Sequence, residues 1–489
     1  MKPAIPLFVS LAFGLSACSV GPDFRAPDAP ATKTYISEQE ILTQDQRVLL
    51  GQQIAVEWWT LFGSRELDGL IRRAIAENHG LSAARETLAQ AQAAVSAERG
   101  TLLPQASLDA MAGRQKYGVA LFGPSNFFIP PFTYYEAGPA FSWTLDLFGG
   151  GQRRVERQQA LADYQQQELD ALYVALTGNV VSQAIELAAV RSQIDAAEDV
   201  VRADEKMLAM IQAAQDAGAA TRIDILNAQS QLATDRARLP ELKQRYSQSN
   251  HMLAVLVGRS PGDWAAPRLN FSQLTIPSTL PVSLPSELVH KRPDILAAEA
   301  NLHAASATVG IATANQYPTL TLSADMFQEA LTPSRLFYGA SNAWALAGGL
   351  SVPIFNGGTL SAQKKEAEHA YQAALSQYQQ TIVRAFGQVA DALTALSHDD
   401  EALKAMNERE SVAQAALDVA QKRQEAGSSG LLDIESARRN YAQTRLQRLE
   451  VQTRQFLDVT QLFVALGGSP TDKQNESANP PSKVQEIVK

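Results

Sequence analysis

A chain of 489 residues with a formal net charge of −9 argues against a nucleic-acid partner, which needs a basic face. That length exceeds what one hydrophobic core usually sustains, so either several domains or one elongated body is expected. No apolar run approaches the roughly 18 residues of a membrane-crossing helix, and a lone cysteine allows no internal disulfide, leaving stability to packing.

At the N-terminus Lys2 precedes an apolar run over 4–15, followed by Leu15-Ser16-Ala17-Cys18. A charged start, a run too short to span and small residues at its end describe a secretory signal over 1–17. Cys18 sits at the cleavage position in a pattern that resembles the bacterial lipobox, where that Cys is lipidated and becomes the first residue. Ser19 follows it, where an Asp would favour inner-membrane retention. One acyl chain anchors weakly, so lipidation alone does not hold the protein in a membrane.

Residues 18–57 are expected to form a lipidated arm, Pro-rich and irregular from 20 to about 53. Helical signals begin at Trp58-Trp59-Thr60-Leu61-Phe62 and continue through Leu67, Leu70 and Ile71 to Arg99. Then the character changes. Over 105–112, Ala106, Leu108 and Ala110 alternate with Gln105, Ser107 and Asp109. Over 135–147, Tyr135, Ala137, Phe141, Trp143, Leu145 and Leu147 oppose Glu136, Ser142, Thr144 and Asp146. Period two predicts strands, joined by a long aromatic and Gly/Pro-rich loop over 114–133. The second half repeats the plan. Leu320, Leu322, Ala324 and Met326 oppose Thr319, Thr321, Ser323 and Asp325, and Trp344, Leu346, Leu350 and Val352 mark a fourth strand.

Each strand pair ends in a matching turn, Leu147-Phe148-Gly149-Gly150-Gly151 and Ile354-Phe355-Asn356-Gly357-Gly358. No Lys-Ser/Thr follows either, so these are strand-to-helix turns and not phosphate cradles. Two proline-free helices are then expected over 152–217 and 360–426, each about 100 Å long, roughly three times a bilayer's hydrocarbon core. Their apolar seams read Leu187, Val190, Ile194, Ala197, Val201, Asp204, Leu208, Ile211 and Leu396, Asp399, Leu403, Met406, Glu410, Ala413, Leu417, Ala420. A sustained seven-residue repeat predicts coiled-coil packing, locally weakened by the acids. Shorter helices return over 223–257 and 432–466, and the tail at 471–489 has the composition of a disordered segment.

The chain is one unit written twice. Residues 217–261 align without a gap on 426–470: both open on Ala-Gly, carry Asp-Ile at Asp224 and Asp433, and close on Gly-x-Ser-Pro. Ala228 with Ala437, Arg236 with Arg445, Glu241 with Glu450 and Leu253 with Leu462 are further identities. Such a repeat sets the fold, giving repeats at 58–262 and 284–470. The expected fold class is mainly α with a small β part.

Four strands with one polar and one apolar face cannot close in lipid, where no sheet edge is left exposed, so the chain must oligomerise. Two copies give eight strands, filled by side chains; three give twelve, wide enough for a lumen. An outer face carrying Trp143 and Trp344 suits lipid. The alternative is a soluble sandwich burying the same face.

In these features the chain resembles the TolC-type outer-membrane factors, and within them the lipoprotein branch of tripartite efflux systems. The resemblance is carried by the lipobox, Trp58 to Phe62 with Leu67 and Leu70, Arg292-Pro293-Asp294-Ile295 with Ala297, Ala298 and Glu299, the turn at 353–358 and the two Gly-x-Ser-Pro ends. It implies a homotrimer with a twelve-stranded outer-membrane β-barrel and a periplasmic α-barrel of antiparallel coiled coils. It further implies a passive duct docked to a periplasmic adaptor and an inner-membrane pump of the resistance-nodulation-division type, lipid-anchored in the outer membrane.

In that family a Leu and, four residues later, an Asp form the periplasmic constriction after the second helix turn. Those positions here are Leu432 and Ser436, so the acid is missing at its usual place and Asp433 and Glu435 flank it. Their counterparts in the first repeat are Ile223 and Asn227. Asp433 also sits where a helix start favours an acid. Asp109, Glu136, Asp146 and Asp325 on the polar strand faces are expected to ring the lumen and favour cations.

Chemistry is not in view. The histidines, His79, His251, His290, His303, His369 and His398, lack metal-ligand spacing, no cofactor motif occurs, and no nucleophile elbow is present. An enzyme is not expected. A transport channel and a non-channel periplasmic coiled-coil lipoprotein remain, and the alternating strands favour the channel. Small-molecule efflux leads over protein secretion or metal-ion efflux, the latter unsupported by the low Met and His content.

Overall fold

The computed structural model describes residues 19–32, 34–36, 47–52, 54–117, 130–426 and 430–468. The signal segment 1–17, Cys18 and the tail 471–489 lie outside the described residues. In chain order the elements are β1 (Arg47–Leu50), α1 (Arg65–Glu77), α2 (His79–Gly100), β2 (Gln105–Gln115), β3 (Phe132–Leu145), α3 (Gly150–Asp216) and α4 (Arg222–Leu256). The second half supplies β4 (Thr279–Val282), α5 (Pro285–Leu288), α6 (Pro293–Ala314), β5 (Thr319–Ala330), β6 (Asn342–Ser351), α7 (Thr359–Glu425) and α8 (Leu431–Leu466). The two long helices have 67 residues each, as the repeat requires. Two units result, each drawing on both repeats: residues up to Pro27, Thr87–Gln165 and Ala298–Tyr378 form the first, and Asp28–Glu86, Gln166–Ala297 and the chain from Gln379 form the second.

The first unit holds an antiparallel sheet in the order β2-β3-β5-β6, two hairpins side by side. Its register runs Ala106 opposite Phe141, Phe141 opposite Ala324 and Ala324 opposite Leu346. Because side chains alternate along each strand, this register gathers Leu108, Phe141, Trp143, Leu322, Met326, Trp344, Leu346 and Leu350 on one face. All eight are exposed. At the centre β3 comes so close to β5 that a Cβ on Gly138 would lie 2.1 Å from the Met326 carbonyl oxygen, so only glycine fits.

The start of the described chain is seated on this unit. The Val20 amide donates to the Phe148 carbonyl at 3.1 Å, Asp23 meets the buried Arg153 guanidinium at 2.7 Å, and Phe24 stacks on His303 at 4.4 Å. Gly21 lies against the Gly310 backbone of α6, with room for nothing larger. Nearby, Val309 and Ala312 of α6 pack on Ala367 of α7 beneath Tyr371.

The second unit is built on an aromatic core that the Trp58–Phe62 segment inserts. Trp58 lies 5.2 Å from Phe463, Phe62 lies 5.9 Å from Phe456, and Phe271 closes on Phe456 at 5.4 Å. Trp59 adds a polar hold, its indole N–H donating to Asp68 at 3.0 Å. Buried Arg292 donates to the Ala465 carbonyl at 2.7 Å and to Asp294 at 2.8 Å, which explains the Arg-Pro-Asp motif: it ties the start of α6 to the end of α8. Within the arm, expected to be irregular, β1 pairs in parallel with β4, a contact between distant segments that no local pattern announces. One stretch of α3 is also apolar enough by composition to cross a membrane, against the expectation that no run qualifies; 67% of it is buried in the fold, marking a core helix.

The coiled-coil seam is buried at Leu187, Val190, Ala197, Val201, Leu396, Ala413 and Leu417 and half-buried at Ile194, Leu208, Ile211, Leu403, Met406 and Ala420. Its acids are not open gaps, because each receives an arginine from α8. Arg439 meets Asp204 at 2.7 Å, Arg454 meets Asp399 at 2.6 Å and Arg448 meets Glu410 at 2.6 Å. Arg439 also reaches Asp235 of α4 at 2.9 Å, so one guanidinium joins three helices.

In that junction burial, together with a hydrogen bond to Asp235, pushes the Asp204 carboxyl up to about 6. Burial also raises Asp235, but hydrogen bonds from Arg439 and Gln231 outweigh it and hold Asp235 below its ordinary value. Asp204 thus binds a proton more tightly in the folded chain than at its ordinary value of 3.8. Its contribution to stability is complete below that value and is lost as pH rises through about 6. Asp204→Asn is expected to remove that loss, gaining roughly 1–2 kcal/mol at neutral pH and flattening Tm between about pH 4 and pH 7. Thermal unfolding across that range checks it; a variant with the wild-type slope would assign the titration elsewhere.

Candidate functional site

The polar face of the sheet is acidic. Asp109 stands opposite Gly138, Glu136 opposite Met111 and Glu329, and Asp325 opposite Ala140 and Ala345. Asp109, Glu136 and Asp325 thereby line a single cavity of about 330 Å³ with Gly138, Ala140 and Phe327. Three of the four acids expected on this face are brought together. Ser107 donates to Asp109 at 2.8 Å and steadies it.

Asp146 is a correction. The strand stops at Leu145, and the Asp146 carboxylate turns back to accept the backbone N–H groups of Gly151 and Gln152, both at 2.8 Å. Free amides at the start of α3 attract it more strongly than continued alternation could hold it on the strand. Glu329 takes its place in the group. It was missed because the alternation in the sequence stops being clear after Met326, whereas β5 runs on to Ala330. Glu136 and Glu329 are directly opposite, an arrangement that like charges disfavour unless water or a cation lies between them. Every charged residue the register places on this face is acidic, and the one cation of these four strands, Arg114, falls on the other face.

At the far ends of the long helices the repeat becomes geometry. Gly218 adopts a φ of 77°, and the Ala219 amide donates back to the Ala214 carbonyl at 2.8 Å, ending α3 on a left-handed residue. Its counterpart, Gly427, lies outside the described residues. Thr221 and Asp224 then cap α4 reciprocally, the Thr221 amide donating to Asp224 at 2.8 Å and the Asp224 amide to the Thr221 hydroxyl at 3.3 Å. Asp433 makes one half of that arrangement for α8, accepting the Gly430 amide at 3.2 Å, since Gly430 has no side chain to return it. The repeated acid therefore serves each helix start.

Leu432 is exposed at 41%, as is its repeat mate Ile223 at 68%, and Ser436 one turn on is exposed as well. Glu435 instead turns into the packing. It is 7% exposed and pairs with Arg438 at 2.8 Å, leaving its second oxygen buried without a hydrogen bond. The open surface at this turn is thus Leu432 and Ser436 with Asp433 beside them. Arg439, one turn further along α8, carries the three-helix junction. The acidic seam position Asp204 was a usable signal for it, since a buried carboxylate needs a cation.

Comparison with known proteins agrees with this architecture. The family described as outer membrane efflux protein matches residues 70–259 and 284–468, one copy per repeat. The pyoverdine export outer membrane protein OpmQ of Pseudomonas putida is 32% identical over 419 residues, covering 84% of this chain and 87% of that protein. The toluene efflux pump outer membrane protein TtgF of Pseudomonas putida is 28% identical, covering 94% and 96%. Among solved structures, the outer-membrane channel OprN aligns with a TM-score of 0.82 at 25% identity over 92% of this chain and 99% of its own. The open state of the MtrE outer membrane channel of Neisseria gonorrhoeae aligns at 0.80 and 25%, over 92% and 98%. Two copies of the family pattern, a two-faced sheet and paired coiled coils have one common explanation: the chain belongs to the outer membrane efflux protein family, TolC-type channels of the outer membrane.

Proposed function

We propose that three copies of this chain close a twelve-stranded barrel in the outer membrane and serve as the passive exit duct of a tripartite small-molecule efflux pump. The carrying observation is the sheet: an exposed apolar face, an opposite acidic face, and β2 and β6 as edge strands. An open edge in lipid costs several kcal/mol for each unpaired group. Closure on further copies is what satisfies both edges. The coiled coils of α3 with α4 and α7 with α8 supply the periplasmic wall, on which an adaptor and an inner-membrane resistance-nodulation-division pump dock. Relatives named for pyoverdine export and toluene efflux support a small organic cargo.

The division of the chain follows: a signal over 1–17, a lipidated arm over 18–57, repeats at 58–262 and 284–470, and a tail at 471–489. Cys18 carries the acyl chain, which places the arm at the inner leaflet without being needed for the pore. The seat of residues 20–24 on α6 and α3 supports that separation, since it holds the arm without lipid. Cys18→Ser behind a cleavable signal is expected to give trimers that still insert. A soluble periplasmic variant would overturn this.

In the lumen, Asp109, Glu136 and Asp325, joined by Glu329, make carboxylate rings that select cations. Reversal potentials in planar bilayers under a salt gradient are expected to be cation-selective. Glu136→Gln with Asp325→Asn should reduce the preference at least twofold, and an anion preference in the parent would refute the assignment.

At the periplasmic tip Leu432 narrows the resting pore apolarly, with Asp433 and Ser436 beside it and Glu435 held by Arg438. The exposure of Leu432, next to Ser436 and among capping and ion-paired acids, supports this. Leu432→Ala should raise single-channel conductance with trimer yield unchanged. Equal conductance would move the constriction elsewhere.

A further inference from the structure

We infer that a second copy of this chain seats on β6 in one defined register, with Leu350 opposite Leu108 and Phe355 resting on Leu103 of the neighbouring β2 and its lead-in. This rests on the reading of the protein as a closed trimer and specifies the seam on which closure depends.

The pairs within the sheet lead from Ala106 through Phe141 and Ala324 to Leu346, and closure requires Leu346 to meet a residue on the next copy's β2. Side-chain alternation allows only an even step along that strand, so that apolar side chains stay together. Steps to Ala106 or Leu108 leave the strands too upright, at tilts of no more than about 19°, so Ala110, Ala112 and Arg114 are the candidates. For twelve strands spaced about 4.8 Å apart, these correspond to strand tilts of about 35°, 46° and 54°. Barrels cluster near 35–45°, which removes Arg114.

The internal repeat decides between the other two. Where β3 meets β5, Phe148 of the strand-to-helix turn stacks on Tyr317, the residue before the Pro that leads into β5, with ring centroids 4.8 Å apart. That pair falls on the continuation of the β3–β5 register, in which Leu145 faces Leu320. The second repeat has Phe355 in the matching turn, and the first has Leu103 before the matching Pro104. Within the described chain neither has the cover its counterpart enjoys: Phe355 is 90% exposed, its neighbour Ile354 94% and Leu103 63%. Opposing Leu346 to Ala112 places Phe355 across from Leu103 on the continuation of the same ladder. Opposing it to Ala110 puts Thr101 there instead.

A separate residue agrees. Arg114 is the one charged side chain that the register puts on the apolar face of the four strands. With Leu346 on Ala112, it stands opposite Trp344, which is 69% exposed in the single chain. A guanidinium over an indole at the membrane boundary is a favourable pairing, and it gives both groups a partner. The other steps set Arg114 against Asn342 or Leu346.

Cysteine pairing reads the register directly, because Cys18 is the only native cysteine. In full-length protein in detergent or lipid, Leu108→Cys with Leu350→Cys should oxidise to covalent dimers and trimers on a denaturing gel. Linking should be at least tenfold faster than for Leu350→Cys with Ala106→Cys or with Ala110→Cys. Faster linking by either shifted pair would overturn the register while leaving the trimer intact. A trimeric mass with none of the three pairs linking would show that β6 and β2 are not the seam. A monomeric mass for the unmodified protein in lipid would refute the trimer itself. As a second readout, Phe355→Ala should lower the temperature at which trimers dissociate and leave the helical content of the protomer unchanged; an unaltered dissociation temperature would refute the Phe355–Leu103 contact.

Discussion

The structure depends on one constraint: a sheet that is apolar on one face, acidic on the other and open at both edges. The side chains of Leu108, Trp344 and Leu346 want opposite surroundings from Asp109, Glu136, Asp325 and Glu329, while the edge backbone groups of β2 and β6 need hydrogen-bond partners. Neither water on both sides nor lipid on both sides satisfies them. A lipid-facing, water-filled barrel does. Membership of the outer membrane efflux family agrees with that demand, and the proposed trimer meets it.

Duplication gives the chain economy, but the two copies are not used alike. Asp224 and Asp433 do the same local job, each holding backbone amides where a return helix begins. Phe148 and Phe355 begin from the same position in the motif and end in different surroundings, the first stacked on Tyr317 and the second bare. A contact satisfied within the chain by one repeat is left by the other for a neighbour. This is how a tandem repeat turns an internal interface into an oligomeric one.

The coiled coils follow a different logic. An ordinary seam would be hydrophobic throughout, yet Asp204, Asp399 and Glu410 interrupt it, and α8 answers with Arg439, Arg454 and Arg448. Pairs of this kind, in which Asp204 and Asp399 are buried, add little net stability, because desolvation offsets most of the attraction, but removing the arginine leaves a buried carboxylate uncompensated. They therefore fix which helix meets which, and at what height, more than how tightly. Burial and the neighbouring Asp399 also push Asp458 on α8 up to about 7, so the seam holds a second carboxyl that titrates near neutrality.

Much of this was open to inspection in the sequence, because its signals are periodic. Alternation over two residues announced the four strands, the seven-residue repeat announced the coiled coils, and the gapless match of 217–261 with 426–470 announced the duplication. Each depends only on near neighbours along the chain or on the chain compared with itself. What depends on distant segments was hidden. The β1–β4 pairing, the reach of Arg292 to Ala465 and the matching of α8 arginines to seam acids join residues whose separation no local pattern records. Asp146 shows the limit most plainly: its place in the alternation said strand face, but free amides at the start of α3 lie within its reach and capture it. The sequence alone determined which faces are polar and where the helices turn, because those follow from side-chain spacing. Only the tertiary structure decided which charges are left open on the acidic face of the sheet and which are consumed in holding helices, because that is set by what the fold brings within hydrogen-bonding distance.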